Sequence, residues 1–318
     1  SATYQIKFDD KAKKLDINAS YNTFNTDYVL DGSQKLTMLT NPNITNNIEN
    51  NIATTSQQQV AAAKVDYSQP VKILDEGKIS LGGLFERLDF EAKDHSMVNL
   101  DYQRQTTSMY AELQMKKKKL DIILGTRAEA YDISGKTIDK NTGTLTQDLI
   151  PFKKFSFFPN ASLQYNFAKQ VYFAMNYNRK IQLPNISWLN PNNTNYQNGN
   201  ISFGGEPNLK PTIYNNFEAK LSVFDYAFIG YNLSLAENQS IQYAEKLYFD
   251  ENNHTIEGKD AFSIRNGFTN VNSMRIHNFN FGLPIPYMLF TKGLKETMKF
   301  NVNPDKMNFL YVYAGYQL

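Results

Sequence analysis

Apolar and polar residues alternate one by one along strand-length stretches of this chain. Leu15, Ile17, Ala19 and Tyr21 stand against Asp16, Asn18, Ser20 and Asn22. Ala161, Leu163, Tyr165 and Phe167 stand against Ser162, Gln164 and Asn166. Val171, Phe173, Met175 and Tyr177 stand against Ala174, Asn176 and Asn178. A period of two is that of a β-strand, whose successive side chains point to opposite faces of the sheet. One face of each strand must therefore leave water while the other stays wet. Two architectures meet that demand: a soluble secreted β-sandwich, or a barrel wall with lipid outside and a polar lumen within. Mean hydropathy is −0.51, and no apolar run is long enough for a membrane helix. Alternation would dilute a barrel's hydropathy to the same value, so composition leaves both open.

Segmentation separates them. The pattern predicts strands at 3–9, 13–24, 59–67, 78–91, 105–115, 120–133, 155–167, 171–181, 212–224, 227–240, 273–284, 294–303 and 308–318. Tight turns are expected near 10–12, 116–119, 168–170 and 225–226, and long polar loops at 25–58, 134–154, 182–211 and 241–272. From residue 25 to residue 272 every second connection is long or medium and those between are short. A sandwich has no reason to keep that asymmetry; an outer-membrane barrel, with short periplasmic turns and longer external loops, does. The expected fold is all-β: part of an antiparallel up-and-down transmembrane β-barrel of roughly thirteen strands in a single domain. Phe173, Met175, Leu221, Val223, Leu233 and Leu235 are expected to face lipid, with Leu233 near the midplane. Asn176, Lys220, Asn232 and Ser234 are expected to face the interior.

Composition closes several routes to function. Lys+Arg 33 against Asp+Glu 31 gives no basic excess for a nucleic-acid partner. With no cysteine there is no disulfide, thiol nucleophile or Cys-based zinc site. His95, His254 and His277 are not spaced as metal ligands, and Gly82-Gly83 and Gly204-Gly205 lack a phosphate-loop pattern. No enzyme, metal or cofactor is expected. The run Lys116–Lys119 reads as a solvated hairpin turn. No leader is visible before the strand that opens at Tyr4, so a removed signal or an internal piece of a longer chain is expected.

The segment Phe157-Phe158-Pro159-Asn160-Ala161-Ser162-Leu163-Gln164-Tyr165, running on to Asn178-Arg179-Lys180, resembles the signature region of Bacteroidota-type TonB-dependent receptor barrels. Leu189-Asn190-Pro191 and Gly205-Glu206-Pro207-Asn208-Leu209-Lys210-Pro211 follow in the family's order. Met109-Tyr110-Ala111-Glu112-Leu113 and Gly125-Thr126-Arg127-Ala128-Glu129 look like its Y-x-E and G-x-R-x-E strands. The ordered set covers residues 78–240, with weaker similarity towards both ends. Such receptors carry an N-terminal domain and a plug, neither of which is seen here, and close on about twenty-two strands. The resemblance therefore implies the middle of a receptor barrel.

Several further expectations follow from the resemblance. The location would be the bacterial outer membrane. The activity would be import of a scarce nutrient such as a siderophore, cobalamin, a glycan or a peptide. Partners would be outer-membrane lipid, the TonB complex reached through a plug, and a surface lipoprotein. Tyr110, Glu112, Arg127 and Glu129 would face the lumen, where charges contact a plug. Loop residues Trp188, Tyr196 and Phe203 are the ligand-binding candidates, because binding residues concentrate on loops held by a rigid frame. Gly205, Pro207, Asn208, Leu209, Lys210 and Pro211 form a structural motif returning the chain to the sheet. The alternatives are a receptor-like barrel serving as a docking subunit of an outer-membrane complex, and a secreted soluble glycan-binding β protein.

Overall fold

A computed structural model describes residues 1–8, 13–38, 41–94, 98–139, 142–143, 145–149, 152–190, 194–195, 201–223, 227–248, 262–286 and 309–317. The strands are β1 (Ala2–Lys7), β2 (Lys14–Met38), β3 (Asn41–Val71), β4 (Glu76–Asp94), β5 (Val98–Lys117), β6 (Leu120–Asp139), β7 (Leu145–Asp148) and β8 (Phe152–Ala168). After β9 (Val171–Gln182) comes a one-turn helix α1 (Ile186–Leu189), then β10 (Thr194–Asn195), β11 (Ile201–Phe203), β12 (Thr212–Val223), β13 (Ala227–Tyr248), β14 (Phe262–Pro286) and β15 (Phe309–Gln317). All fifteen belong to one sheet. Eleven successive antiparallel pairings join twelve of them as an up-and-down meander, with β7, β10 and β11 as short additions. Among the described residues β1 and β15 each pair on one side only, so the wall is open. Among the described residues no second sheet faces it, as a sandwich would require.

The strand count differs from the thirteen expected. The segment 294–303 lies outside the described residues, and β15 pairs directly with β14 through Asn278↔Gln317 to Pro286↔Phe309, so no strand stands between them. The loop expected at 25–58 is instead a paired ribbon: β2 and β3 hold register from Lys14↔Ser68 to Thr37↔Thr45. Polarity misled here because a ribbon outside a membrane needs no apolar face, and its backbone bonds close the ladder. The same reason carries β4 and β5 to residues 94 and 98, β6 to residue 139, and β13 and β14 to residues 248 and 262. The segment 182–211 also has structure: α1, the β10–β11 pair, and a parallel pairing of β11 with β14 at Ile201↔Ile264.

The short connections are where the sequence placed them. Lys117 pairs with Leu120 across Lys118-Lys119, with φ of 53° at Lys118. Ala168 pairs with Val171 across Lys169-Gln170, with φ of 68° at Gln170. Positive φ in two-residue loops matches the right-handed twist of the flanking strands. Neighbouring turns are laced together: Lys118 N donates to Asp75 Oδ2 (2.6 Å), Lys119 Nζ to the Phe167 carbonyl (2.6 Å), and Asn166 N to the Lys119 carbonyl (2.8 Å). That accounts for the basic run. The turns 9–12 and 224–226 lie outside the described residues, though Lys7↔Lys14 and Val223↔Ala227 close the hairpins they join.

One face carries an unbroken apolar belt. A row runs Tyr4–Ile17–Val65–Gly83–Met109–Ala128–Phe157, and another runs Leu120–Tyr165–Phe173–Leu221–Ile229–Phe281. The belt side chains are exposed and contiguous: Met109 is 70% accessible, Ile229 62% and Met175, in the next row, 52%. An apolar surface of that extent marks contact with lipid or a partner rather than water. On β6 the belt spans Leu120, Ile122, Leu124, Thr126, Ala128 and Ala130, ending at Asp132. That length, tilted as barrel strands are, spans the ~25 Å apolar band of an outer membrane. The opposite face reads Ser162–Asn176–Glu218–Asn232–Asn278. Leu235 stands on the outer face, in the polar row Arg179–Asn215–Leu235–Arg275. Leu233, one step below that row, shares the row Leu124–Ala161–Tyr177–Phe217–Leu233, inside the belt.

Candidate functional site: inner wall and folded mouth

On the inner face, Tyr110 of β5 lies opposite Gly82 of β4, and a Cβ at Gly82 would collide with the Tyr110 ring. The glycine lets the ring lie flat across β4, so its hydroxyl reaches β3 and donates to Asp66 Oδ1 at 2.6 Å. Lys64 holds the other oxygen of Asp66 at 2.8 Å. Next to them Arg127 faces Tyr110 in register, with its guanidinium 5.5 Å from the Phe158 ring. Arg127 Nε approaches Glu129 Oε1 to 2.5 Å yet finds no hydrogen-bond acceptor. The contact is thus ionic, off the donor direction. Glu112 accepts from Gln114 Nε2 at 2.8 Å. A second ion pair, Arg104–Glu86 at 2.8 Å, continues the charged wall upwards.

Tyr110, Glu112, Arg127 and Glu129 therefore all stand on the inner face and line one concavity of about 440 Å³ with Lys64 and Phe158. Glu129 is its most constrained member. Its side chain is 6% exposed, and its Oε2 has no hydrogen-bond partner. A buried carboxylate oxygen left unpaired costs about 1–3 kcal/mol or more. Asp66, Gly82 and Glu86 do not stand out in the sequence, because only the register brings them beside Tyr110 and Arg104. The pair Lys64-x-Asp66 on a strand was the one available signal.

Towards the long-loop end, residues 183–190 and 201–211 fold onto the inner wall. Asn185 caps α1, its Oδ1 accepting from Ser187 N at 3.1 Å. Leu189 and Leu209 are buried with Leu88, Leu100, Tyr102 and Phe268. Trp188 stacks on Phe268 at 4.9 Å, and Phe203 meets the same ring edge-on at 5.4 Å. The structure thus brings Trp188 and Phe203 together as anchors of the fold, both partly buried; Tyr196 lies outside the described residues. Phe268 and Asn270 were missed because residues 241–272 read as loop.

The return motif is tightly held. A Cβ at Gly205 would strike the carbonyls of Trp188 and Asn190. Those carbonyls accept from Glu206 N and Gly205 N, both at 2.7 Å. Glu206 Oε1 accepts from Asn208 N (2.9 Å), and Asn270 clamps Lys210 by accepting from its N (2.8 Å) and donating to its carbonyl (3.1 Å). Pro207, Leu209 and Pro211 line an apolar cavity of about 230 Å³ between this motif and Tyr102, Leu149 and Phe152. Among the described residues no group of three or more metal-ligating side chains occurs, and no helix is long and apolar enough to cross a membrane.

An up-and-down wall with lipid-height apolar cladding outside, a charged lining inside and one mouth folded over by a loop defines an outer-membrane β-barrel protein. Residues 6–314 match the outer membrane protein beta-barrel family, and the chain belongs to it. Its location is the bacterial outer membrane, which removes the soluble secreted alternative. A comparison with curated proteins gave no match. Among solved structures the chain is similar to the ferric-catecholate import receptor Fiu from E. coli K12, with TM-score 0.59 and 11% identity over 88% of this chain and 43% of that one. It is similar to the copper transporter OprC (TM-score 0.59, 11% identity, 88% and 42% covered). It is also similar to the ferric citrate transporter FecA (TM-score 0.54, 12% identity, 99% and 41% covered). The chain thus spans less than half the length of these three proteins.

Proposed function

We propose that this chain is the barrel portion of a TonB-dependent receptor that imports a scarce nutrient across the outer membrane, of the siderophore, cobalamin, glycan or peptide class. The observation that carries the reading is Glu129: a carboxylate sealed in the lumen wall beside Arg127, with one oxygen still unpartnered. Such a wall suits a second body seated in the lumen, a plug whose donors complete it, better than bulk water. The folded mouth supports the reading too, since it narrows the external opening where a ligand would be captured. The test is uptake. A strain lacking the gene is supplied with limiting iron chelates, cobalamin, glycans or peptides, and uptake is measured with and without a protonophore. Loss of one nutrient's energised uptake in the deletion strain is expected. Uptake of that nutrient that survives a collapsed proton gradient would overturn TonB dependence.

The docking-subunit alternative draws on a separate observation. β2 and β3 are paired out to Met38 and Asn41, far beyond the belt, as a stiff ribbon on the external side. Such a ribbon offers a surface lipoprotein a platform. Co-purification of a lipoprotein that is lost when residues 28–52 are shortened to a tight turn, with nutrient uptake unchanged, would favour docking over import.

A further inference from the structure

The cavity of about 230 Å³ beneath the return motif has walls that cannot close on it. On the side of the sheet it is lined by Tyr102, Ile133 and Phe152 of β5, β6 and β8. On the side of the mouth stand Pro184, Pro207, Leu209 and Pro211. Side chains around a cavity in a core relax into part of the space when they are free to do so. Here three of the four mouth-side residues are prolines, whose rings fix φ. The backbone between them is tied: Leu209 N donates to the Glu206 carbonyl at 3.2 Å, and Asn270 holds both backbone groups of Lys210. Moving the mouth inward would break those bonds. The opposite wall is the ladder itself, with Ile133 and Phe152 direct cross-strand partners and the Phe152 ring 6.3 Å from that of Tyr131. The cavity is therefore preformed, as small-molecule sites are.

Its chemistry is narrow. Of the residues that line it only Lys210 is charged, and Lys210 is exposed. Tyr102, Ile133, Leu149, Leu189 and Leu209 are all buried. A charged group among them would lose its hydration and gain no partner, whereas an apolar group gains by leaving water. An apolar cavity of ~150 Å³ takes a benzene molecule, so this one has room for a substituted ring or two fused rings. It lies towards the long-loop end, which is the external end of an outer-membrane barrel.

We propose that this cavity is a binding site for an uncharged aromatic or branched aliphatic group, carried by a small molecule that arrives at the external mouth. The apolar group sits between Ile133, Phe152 and Leu209, and the remainder of the molecule lies on the side of Lys210. The site rests on the folded mouth and not on the importer reading, so the uptake test and the one below fail independently. The probes are 4-fluorotoluene and 4-fluorobenzylammonium, which match in shape and differ in charge. Each is titrated by fluorine NMR against the intact protein in lipid vesicles, with protein-free vesicles measuring partition into lipid. Saturable binding of 4-fluorotoluene is expected at one site per chain, with the ammonium more than about tenfold weaker. Leu149→Trp combined with Leu209→Trp fills the cavity from two sides and should abolish the saturable binding. A heat-modifiable gel shift establishes that this variant is folded, and the probe comparison on the unaltered protein needs no variant. Iodobenzene soaked into crystals of the intact protein should give an anomalous iodine peak between Ile133, Phe152 and Leu209. No saturable binding above lipid partition, equal binding of the two probes, binding retained by the folded variant, or a cavity filled in the crystal by ordered water or another segment of the same protein would overturn the proposal.

Discussion

Placing a single arginine at different heights of the outer face reads the belt directly. Met175 stands in the row Ile122–Leu163–Met175–Ala219–Tyr231, two steps from the hairpin turn below and two from Arg179 above. An arginine there cannot bring its charge to either headgroup layer without distorting the wall. The expected cost is about 2–4 kcal/mol, the range for a midplane arginine on a barrel's lipid face. Leu235 lies in the row that already holds Arg179 and Arg275. An arginine at Leu235 joins a row that already carries guanidiniums, so about 0–1 kcal/mol is expected. The assay is equilibrium unfolding by guanidinium from lipid vesicles, followed by fluorescence of Trp188, the one tryptophan, and scored by the midpoint at fixed slope. Equal costs at the two positions, or a neutral Met175→Arg, would refute the assignment of belt height from register.

Three further substitutions test the inner face. Gly82→Val should cost about 1–3 kcal/mol by unseating the Tyr110 ring, and far less in a Tyr110→Ala background; additive costs in that double-mutant cycle would deny the contact. Gly205→Ala should loosen the mouth, read as faster proteolysis within 183–211, and unchanged cleavage would show that the two carbonyl contacts do not hold the loop. Asn270→Ala removes both clamp bonds to Lys210 and its donation to the Asn238 carbonyl. It should lower stability by about 1–3 kcal/mol, with no change in the unfolding midpoint as the contrary result.

The membrane-spanning part of each strand was legible because two solvents act on it. Met175 and Asn176 differ in polarity since one meets lipid and the other the lumen, and the period of two records that. Residues 25–58 carry polar side chains at both alternating positions, so nothing in Thr26, Asn46 or Gln57 distinguishes a paired ribbon from a loop. Register was needed for the inner wall. Tyr110 and Glu129 are recognisable as polar-face residues, yet that Tyr110 reaches Asp66 across Gly82 depends on the alignment of three strands. The mouth was half legible: the motif from Gly205 to Pro211 reads as structural, whereas Trp188 looked free for ligand because its partner Phe268 lay in a segment without an apolar period.

The two-faced wall itself is open to one measurement. The chain has no cysteine, so single cysteines can be placed without background at Phe173, Met175, Asn176, Leu221, Ile229 and Asn232 and labelled with a small fluorophore. In vesicles containing brominated lipid, labels at Phe173, Met175, Leu221 and Ile229 should be strongly quenched, while labels at Asn176 and Asn232 should not. A pattern without the period of two, or quenching of the asparagine positions instead, would contradict a membrane-embedded barrel wall.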